Sequence, residues 1–424
     1  MEPLFCPVER RIKLMQKRKD PNGRVLRDGE RYRKIADDYS FRWTDKIGKR
    51  HEVYAKTLND LRIKEAEIMR DISEGIRTHD RNITVNDLFN AWREDKKGLR
   101  SSTKGNYTYM YEQFVMDSFG KYRITDVKKS DVRRFYNELH EAKGLSFNTI
   151  EVIQNILNQM FSLAIDDDYI RKNPVSKALG ECKQSHNYQR PKRHALTIAE
   201  QKAFVEFIKN NSVFSHWLPL FTFFLGTGCR VSEVISLRWK DVDMDEGIIS
   251  INHGITYYDR EDRTCSFQIS HDTKTEAGKR IIPMLGDVKK ALLEEKKFQQ
   301  NAGISCKVNY DGYTDFIFLN RFGNIHNPQT INRTIKRIVN AYNAEELDKA
   351  ETENREALLL PCFSCHNLRH TFATRYCENE NNIKVIQEIL GHKDIATTMD
   401  VYAEATKDSK ITSFKELEGK IVVS

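Results

Sequence analysis

The sequence predicts a mostly α, multidomain protein: a small N-terminal β-sheet backed by a helix, then a helical bundle, then a mixed α+β domain. Three observations lead there. The 424 residues suffice for two or three hydrophobic cores. Near the front, Tyr39-Ser-Phe41-Arg42-Trp43-Thr44 alternates aromatic and polar side chains, the period of a half-buried strand. Further on, Ile150, Ile153, Ile156, Leu157, Met160, Phe161, Ala164 and Ile165 fall on one helical stripe.

Residues 1–82 are rich in basic side chains. After the strand at Tyr39 comes a turn at Asp45-Lys-Ile-Gly48-Lys, then a second strand, Arg50 to Lys56. Thr57 to Asp60 opens a capped helix that continues from Leu61 to Ile72. This arrangement would put Arg42 opposite the aromatic face, free to meet a phosphate. Residues 83–179 read as a bundle, with helices at Thr84 to Trp92, Ser102 to Phe119 and Lys129 to Glu141 beside the isoleucine stripe. Asn173-Pro174 breaks the chain's helical character beyond the stripe. Residues 180–195 are polar and basic (Lys183, Arg190, Lys192, Arg193) and have the texture of a linker. From 196 to the end, Thr197-Ile-Ala-Glu200 is a capping box. Short strands are expected at Ile248 to Asn252, Ser266 to Ser270 and Arg280 to Pro283, and helices over most of the rest.

The net charge of +8 permits an anionic partner without proving one. The first residues lack the apolar region of an export signal. The longest apolar stretch, Trp217 to Leu225, is too short to span a bilayer. A cytoplasmic protein is expected, with its eight cysteines free rather than bridged.

Chemistry concentrates after residue 196. The run Gly226-Thr-Gly228-Cys-Arg230-Val-Ser-Glu233 makes a tight turn into a helix, with Arg230 and Glu233 on one face. Free backbone N–H groups at such a turn suit an anion, although an Arg/Glu pair at this spacing is ordinarily a surface ion pair of small worth. The run Asp272-Thr273-Lys274-Thr275-Glu276-Ala277-Gly278-Lys279-Arg280 lies between two strand-like segments and reads as a hairpin. His366-Asn-Leu-Arg369 puts two side chains one helical turn apart, and Gly391 fits the residue just past the helix Lys384 to Leu390, with His392 next in the chain. Asp394 then caps a helix that carries Tyr402.

A competing reading starts at Cys362-Phe-Ser-Cys365-His366, a CxxCH of the kind that attaches haem, or part of a zinc site. Haem attachment requires export, and no second CxxC or HxxxH at finger spacing from these cysteines closes a tetrahedral zinc shell. The two cysteines are then incidental neighbours of His366.

Taken in order, Arg230 with Glu233, Lys274, His366 with Arg369, Leu390-Gly391-His392 and Tyr402 resemble the tyrosine recombinase (phage integrase) family. In layout the chain looks most like integrases of conjugative transposons. The resemblance implies an arm-type DNA-binding domain (1–82), a core-type DNA-binding domain (83–179), a linker (180–195) and a catalytic domain with a C-terminal tail (196–424). It implies an enzyme that cleaves and rejoins duplex DNA through a 3′-phosphotyrosyl intermediate and a Holliday junction, integrating and excising a mobile element. Tyr402 would be the nucleophile. Arg230 and Arg369 would clamp the phosphate, and His392 would donate to it. Lys274 would protonate the departing 5′-oxygen, and His366 would assist at the tyrosine. Glu233 would orient Arg230 or His366 without touching phosphate. Arg42, Lys192 and Arg193 would contact DNA. No cofactor and no metal are expected. The partners implied are double-stranded DNA at core-type and arm-type sites, a homotetramer on that DNA and an excision or directionality factor, with no membrane. The location implied is the bacterial cytoplasm, at the nucleoid when DNA is bound. The tail after Tyr402, ending in Ile421-Val-Val423, would dock on a neighbouring protomer. The alternative within the same chemistry is a type IB topoisomerase, which relaxes a single duplex.

Overall fold

Alternation and periodicity become real elements once each apolar face finds a partner. The computed structural model describes residues 18–45, 48–75, 82–99, 101–190, 194–259, 265–270 and 278–405. Lys192, Arg193, Lys274 and the tail residues 406–424 therefore lie outside the described residues. The chain divides into two units, Met1–Gln189 and Arg190–Ser424.

In the first unit, strands β1 (Glu30–Arg33), β2 (Asp38–Thr44) and β3 (Arg50–Ala55) form an antiparallel sheet in that order. Tyr39 and Phe41 of β2 are buried with Leu58, Leu61 and Ile68 of helix α1 (Leu58–Ser73), which Thr57 caps. Strand β1 is not anticipated by the sequence, because Glu-Arg-Tyr-Arg shows no apolar alternation. Arg42 differs from expectation. Register places it opposite Glu52, and its Nε pairs with that carboxylate at 3.0 Å, so the guanidinium is exposed but not free.

A second core in this unit gathers helices α2 (Val85–Asp95), α3 (Ser101–Phe114), α4 (Lys129–Glu141) and α5 (Phe147–Asp166). Every residue of the isoleucine stripe from Ile150 to Ala164 is buried in it. The helix expected to reach Phe119 stops at Phe114, after which the chain turns and makes a short 3-10 segment at Phe119–Lys121. The expected linker is also partly helical. Helix α6 (Ala178–Ser185) buries Leu179 and Cys182 against this core.

The second unit is built around helix α8 (Leu218–Thr227), which comes after α7 (Ile198–Asn210) and is apolar on all sides. Leu220, Phe221, Phe223 and Phe224 are all buried, as an all-round apolar helix requires. The short helix α9 (Val231–Ile235) comes next. Strands β4 (Val242–Asp243), β5 (Ile248–Ile251) and β8 (Arg280–Pro283) make one sheet, and β6 (Gly254–Asp259) pairs with β7 (Cys265–Ser270) in another. The hairpin expected around Lys274 lies outside the described residues. The flanking strands β7 and β8 pair with β6 and β5, not with each other. Helices α10 (Gly286–Ala302), α11 (Pro328–Thr352), α12 (Cys365–Asn379), α13 (Ile383–Leu390) and α14 (Ile395–Ala405) complete the unit.

Candidate active site

The site begins where α8 ends. Gly228 adopts a left-handed conformation, φ 61°, that closes the helix. A Cβ there would meet the Phe372 ring at 2.3 Å, so glycine also lets α12 approach. That approach brings the Gly228 carbonyl to Arg369, whose Nη1 donates to it at 2.6 Å. Two residues on, Arg230 is extended and caps α9. Glu233 folds back to accept from the Arg230 backbone N–H at 2.8 Å and from its Nη1 at 2.8 Å.

Glu233 is buried, so this is not the surface ion pair its spacing suggests. Its carboxylate also accepts from Arg280, at 3.2 Å from Nη1 and 2.9 Å from Nη2. Burial alone would raise its pKa, but Arg280 and Arg230 outweigh that and hold it down at about 2.

The other half of the site is the C-terminus of α13. Gly391 is left-handed, φ 62°, and lets the chain turn out of the helix. Three successive carbonyls there each receive one guanidinium. Ile389 accepts from Arg280 Nε at 2.7 Å, Leu390 from Arg369 Nη2 at 2.7 Å and Gly391 from Arg230 Nη2 at 2.7 Å. The last carbonyls of a helix lack intrahelical partners and carry partial negative charge, so they suit cations. Three guanidiniums face one carboxylate, which leaves an excess of positive charge. Burial and the neighbouring Arg230 lower Arg369 to about 10, still protonated at neutral pH.

His392 comes directly after. Its Nδ1 pairs with Thr398 Oγ1 at 2.9 Å, and Thr398 is fully buried. Burial, then the charges of Arg369, Arg230 and Arg280, push His392 down to about 4, and His366 contributes in the same sense. His366 itself is exposed, one turn before Arg369 on α12. Tyr402, on α14, packs against Ala373, Cys377, Ile386 and Leu390, the last being the residue whose carbonyl holds Arg369. A cleft of about 350 Å³ opens beside His392, bounded by Lys279, Arg280 and Lys384.

The structure thus gathers Arg230, Glu233, Arg369 and His392 around one helix end and seats Tyr402 on the helix that packs against it. Arg280 was missed by the sequence reading. An arginine that opens a strand, next to a lysine, gives no local signal, and its burial against Glu233 is what marks it. Cys365 is buried, with its thiol pushed up to about 12, while Cys362 is exposed. Burial thus shields the Cys365 thiol, while Cys362 meets solvent.

Comparison with known proteins agrees with this geometry. The phage integrase family matches residues 194–409, the DNA-binding domain of Tn916 integrase matches 14–72, and the phage integrase N-terminal SAM-like domain matches 84–140. The transposase from transposon Tn916 of Enterococcus faecalis is 30% identical over 417 residues, 95% of this chain and 97% of the relative. A XerC-like tyrosine recombinase of Caldanaerobacter subterraneus is 24% identical, over 88% of this chain and 93% of the relative. The Tn1549 transposon integrase, solved in complex with a circular intermediate DNA, has a TM-score of 0.68 and 29% identity, over 79% of this chain and 99% of that one. A lambda integrase tetramer bound to a Holliday junction shares the fold, with a TM-score of 0.53 at 17% identity, over 88% of this chain and 97% of that one. The chain belongs to the phage integrase family and is a tyrosine-type site-specific DNA recombinase.

Proposed function

We propose that this recombinase integrates and excises a conjugative transposon, with Tyr402 as nucleophile and Arg230, Arg369 and His392 as the phosphate-binding groups. The observation that carries the assignment is the set of guanidiniums held on the last carbonyls of α13 beside His392. Among the described residues Arg230 and Arg369 each spend two of five N–H donors, which leaves donors for the non-bridging oxygens of a phosphodiester. Such preorganised charge stabilises a pentacoordinate phosphorus without reorganising when the reaction occurs.

The step proceeds as a transesterification. The Tyr402 phenolic oxygen bonds to phosphorus, the bond to the 5′-oxygen breaks, and the phenol proton passes to a nearby base, a role that suits His366. Lys274 gives its proton to the leaving 5′-oxygen. The phosphotyrosine retains the bond energy, so attack by another strand's 5′-hydroxyl rejoins the DNA without a nucleotide cofactor. Glu233 keeps Arg230 in place.

The same reading assigns core-type sites to the helices of residues 83–179 and arm-type sites to the small sheet domain. It also assigns a tetramer on the junction, a directionality factor, and a tail beyond Tyr402 that docks on a neighbouring protomer. Among the described residues no helix is long and apolar enough to cross a membrane. A topoisomerase reading is not favoured, because the relatives are recombinases and transposon integrases.

The test is a duplex nicked near the cleavage site, which traps covalent protein. The expected result is a denaturant-stable adduct with wild type and none with Tyr402→Phe. Two-site recombination without supercoil relaxation of a plasmid lacking the sites would separate integrase from topoisomerase. An adduct formed by Tyr402→Phe would overturn the assignment.

A further inference from the structure

Arg280 takes no part in the reaction as derived, yet it is buried among the groups that do. Each of its five N–H donors has a partner within the protein. Nε donates to the Ile389 carbonyl at 2.7 Å. Nη1 donates to Glu233 Oε1 at 3.2 Å and to the Gly278 carbonyl at 3.3 Å. Nη2 donates to Glu233 Oε2 at 2.9 Å and to Cys229 Sγ at 3.7 Å. A guanidinium so occupied cannot bind a phosphate oxygen without surrendering one of these bonds. Arg230 and Arg369 are different, because among the described residues each has donors to spare.

The partners of Arg280 are the parts that must be held. Glu233 is the carboxylate that orients Arg230. Ile389 belongs to the helix end that delivers Leu390, Gly391 and His392. Gly278 lies in the same sequence run as Lys274, four residues after it. One planar fork therefore joins α9, the end of α13 and the start of β8. Its charge also matters. Glu233 is hydrogen-bonded to two arginines, and with Arg280 removed the buried carboxylate would keep Arg230 as its hydrogen-bonded cation among the described residues, with Arg369 acting on it through charge alone.

We infer that Arg280 is a positioning residue for strand cleavage: it fixes the Glu233 carboxylate and the Ile389 carbonyl together, and through them sets where Arg230 and His392 meet the scissile phosphate. This rests on the recombinase assignment above. Lysine cannot replace it fully, since an ammonium on a flexible stem lacks the geometry to satisfy both carboxylate oxygens and a carbonyl at once.

The test uses the full chain, a nicked core-site duplex and single-turnover cleavage, with DNA affinity and thermal melting measured beside it. Arg280→Gln is expected to bind DNA as wild type does and to cleave about 100-fold more slowly, the scale of loss from misplacing a reacting group by an ångström. Arg280→Lys is expected to recover part of that rate. The double variant Arg280→Gln with Glu233→Gln is expected to be no slower than Arg280→Gln alone, because the two residues act through one contact.

The pH profile supplies a readout that a merely structural role would not move. Glu233 faces Arg230, Arg280, Cys229 and Arg369. Losing Arg280 lets the carboxylate take up a proton at higher pH, so the acid limb of cleavage shifts upward in Arg280→Gln. Wild-type cleavage by a folded Arg280→Gln, or losses that multiply in the double variant, would overturn the inference. Should Arg280→Gln fail to melt cooperatively, Arg280→Lys decides, and an unchanged rate and profile in it count against the role. A Tyr402→Phe control separates the two levels: an adduct there refutes the recombinase assignment, whatever Arg280 does.

Discussion

The Arg369 guanidinium donates to the Leu390 carbonyl at 2.7 Å, which ties the middle of α12 to the C-terminus of α13. Two motifs 21 residues apart are thereby one structural object. The same guanidinium reaches the Gly228 carbonyl, so the turn before Arg230 joins them. Glutamine at 369 is neutral and too short to bridge both carbonyls. Arg369→Gln is expected to lower single-turnover cleavage about 10²–10³-fold, the usual loss when a preorganised transition-state donor is removed. Trapping on a nicked duplex measures it.

Tyr402→Phe removes one oxygen and leaves a ring of the same shape against Ala373, Cys377, Ile386 and Leu390. The variant is expected to melt as wild type and to bind DNA unchanged, while forming no adduct. Electrophoretic shift and denaturing gels read the two properties separately.

His392 is neutral at neutral pH because burial and the nearby arginines hold it at about 4. Between pH 6.5, the ordinary value, and about 4 the unfolded chain binds a proton that the folded chain does not. Stability is therefore expected to fall as pH drops through that window and to be flat above it, as far as this group is concerned. His392→Asn removes that part of the slope. A phosphate beside the ring favours the imidazolium, so DNA binding at pH 6 is expected to take up protons. Calorimetry in buffers of different ionisation enthalpy measures the uptake, which should shrink in His392→Asn.

Gly228→Ala meets two obstacles, a left-handed φ of 61° and the Phe372 ring at 2.3 Å. A strained backbone position alone costs about 1–3 kcal/mol. The variant is expected to unfold at lower denaturant and to cleave poorly even where folded, because Gly228 positions Arg369. Denaturant melts and cleavage rates check the two effects.

In the helical core of the first unit, Ile156→Ala removes a side chain that is 1% exposed. It is expected to cost about 2–5 kcal/mol through lost burial and the cavity left behind. Chemical denaturation of the full chain, monitored by a probe in that core, measures it.

Local pattern was legible wherever one short segment held the whole signal. The helix Lys129–Glu141 and the strand Arg280–Pro283 have the bounds their residues predict. The cap at Thr197 and the left-handed Gly391 also agree with residue type. Pairing between distant segments was not legible. Neither β7 nor β8 carries a local sign of its partner: β7 pairs with β6 and β8 with β5, earlier in the chain. Arg42 looked available, and register set Glu52 beside it.

By itself the sequence determined which residue types are present and in what order: arginine with glutamate, histidine with arginine, leucine-glycine-histidine, then tyrosine. That order sufficed to assign the family, because motif identity is carried by the chain. The tertiary structure decided what those residues do to one another. Glu233 became a buried carboxylate between two arginines, Arg280 became its second partner, and three consecutive carbonyls at the end of α13 and its cap, Ile389 to Gly391, became the seat of the guanidiniums. The physical reason is that burial and charge pairing depend on groups brought from segments far apart, and no short window of sequence contains both sides of such a contact.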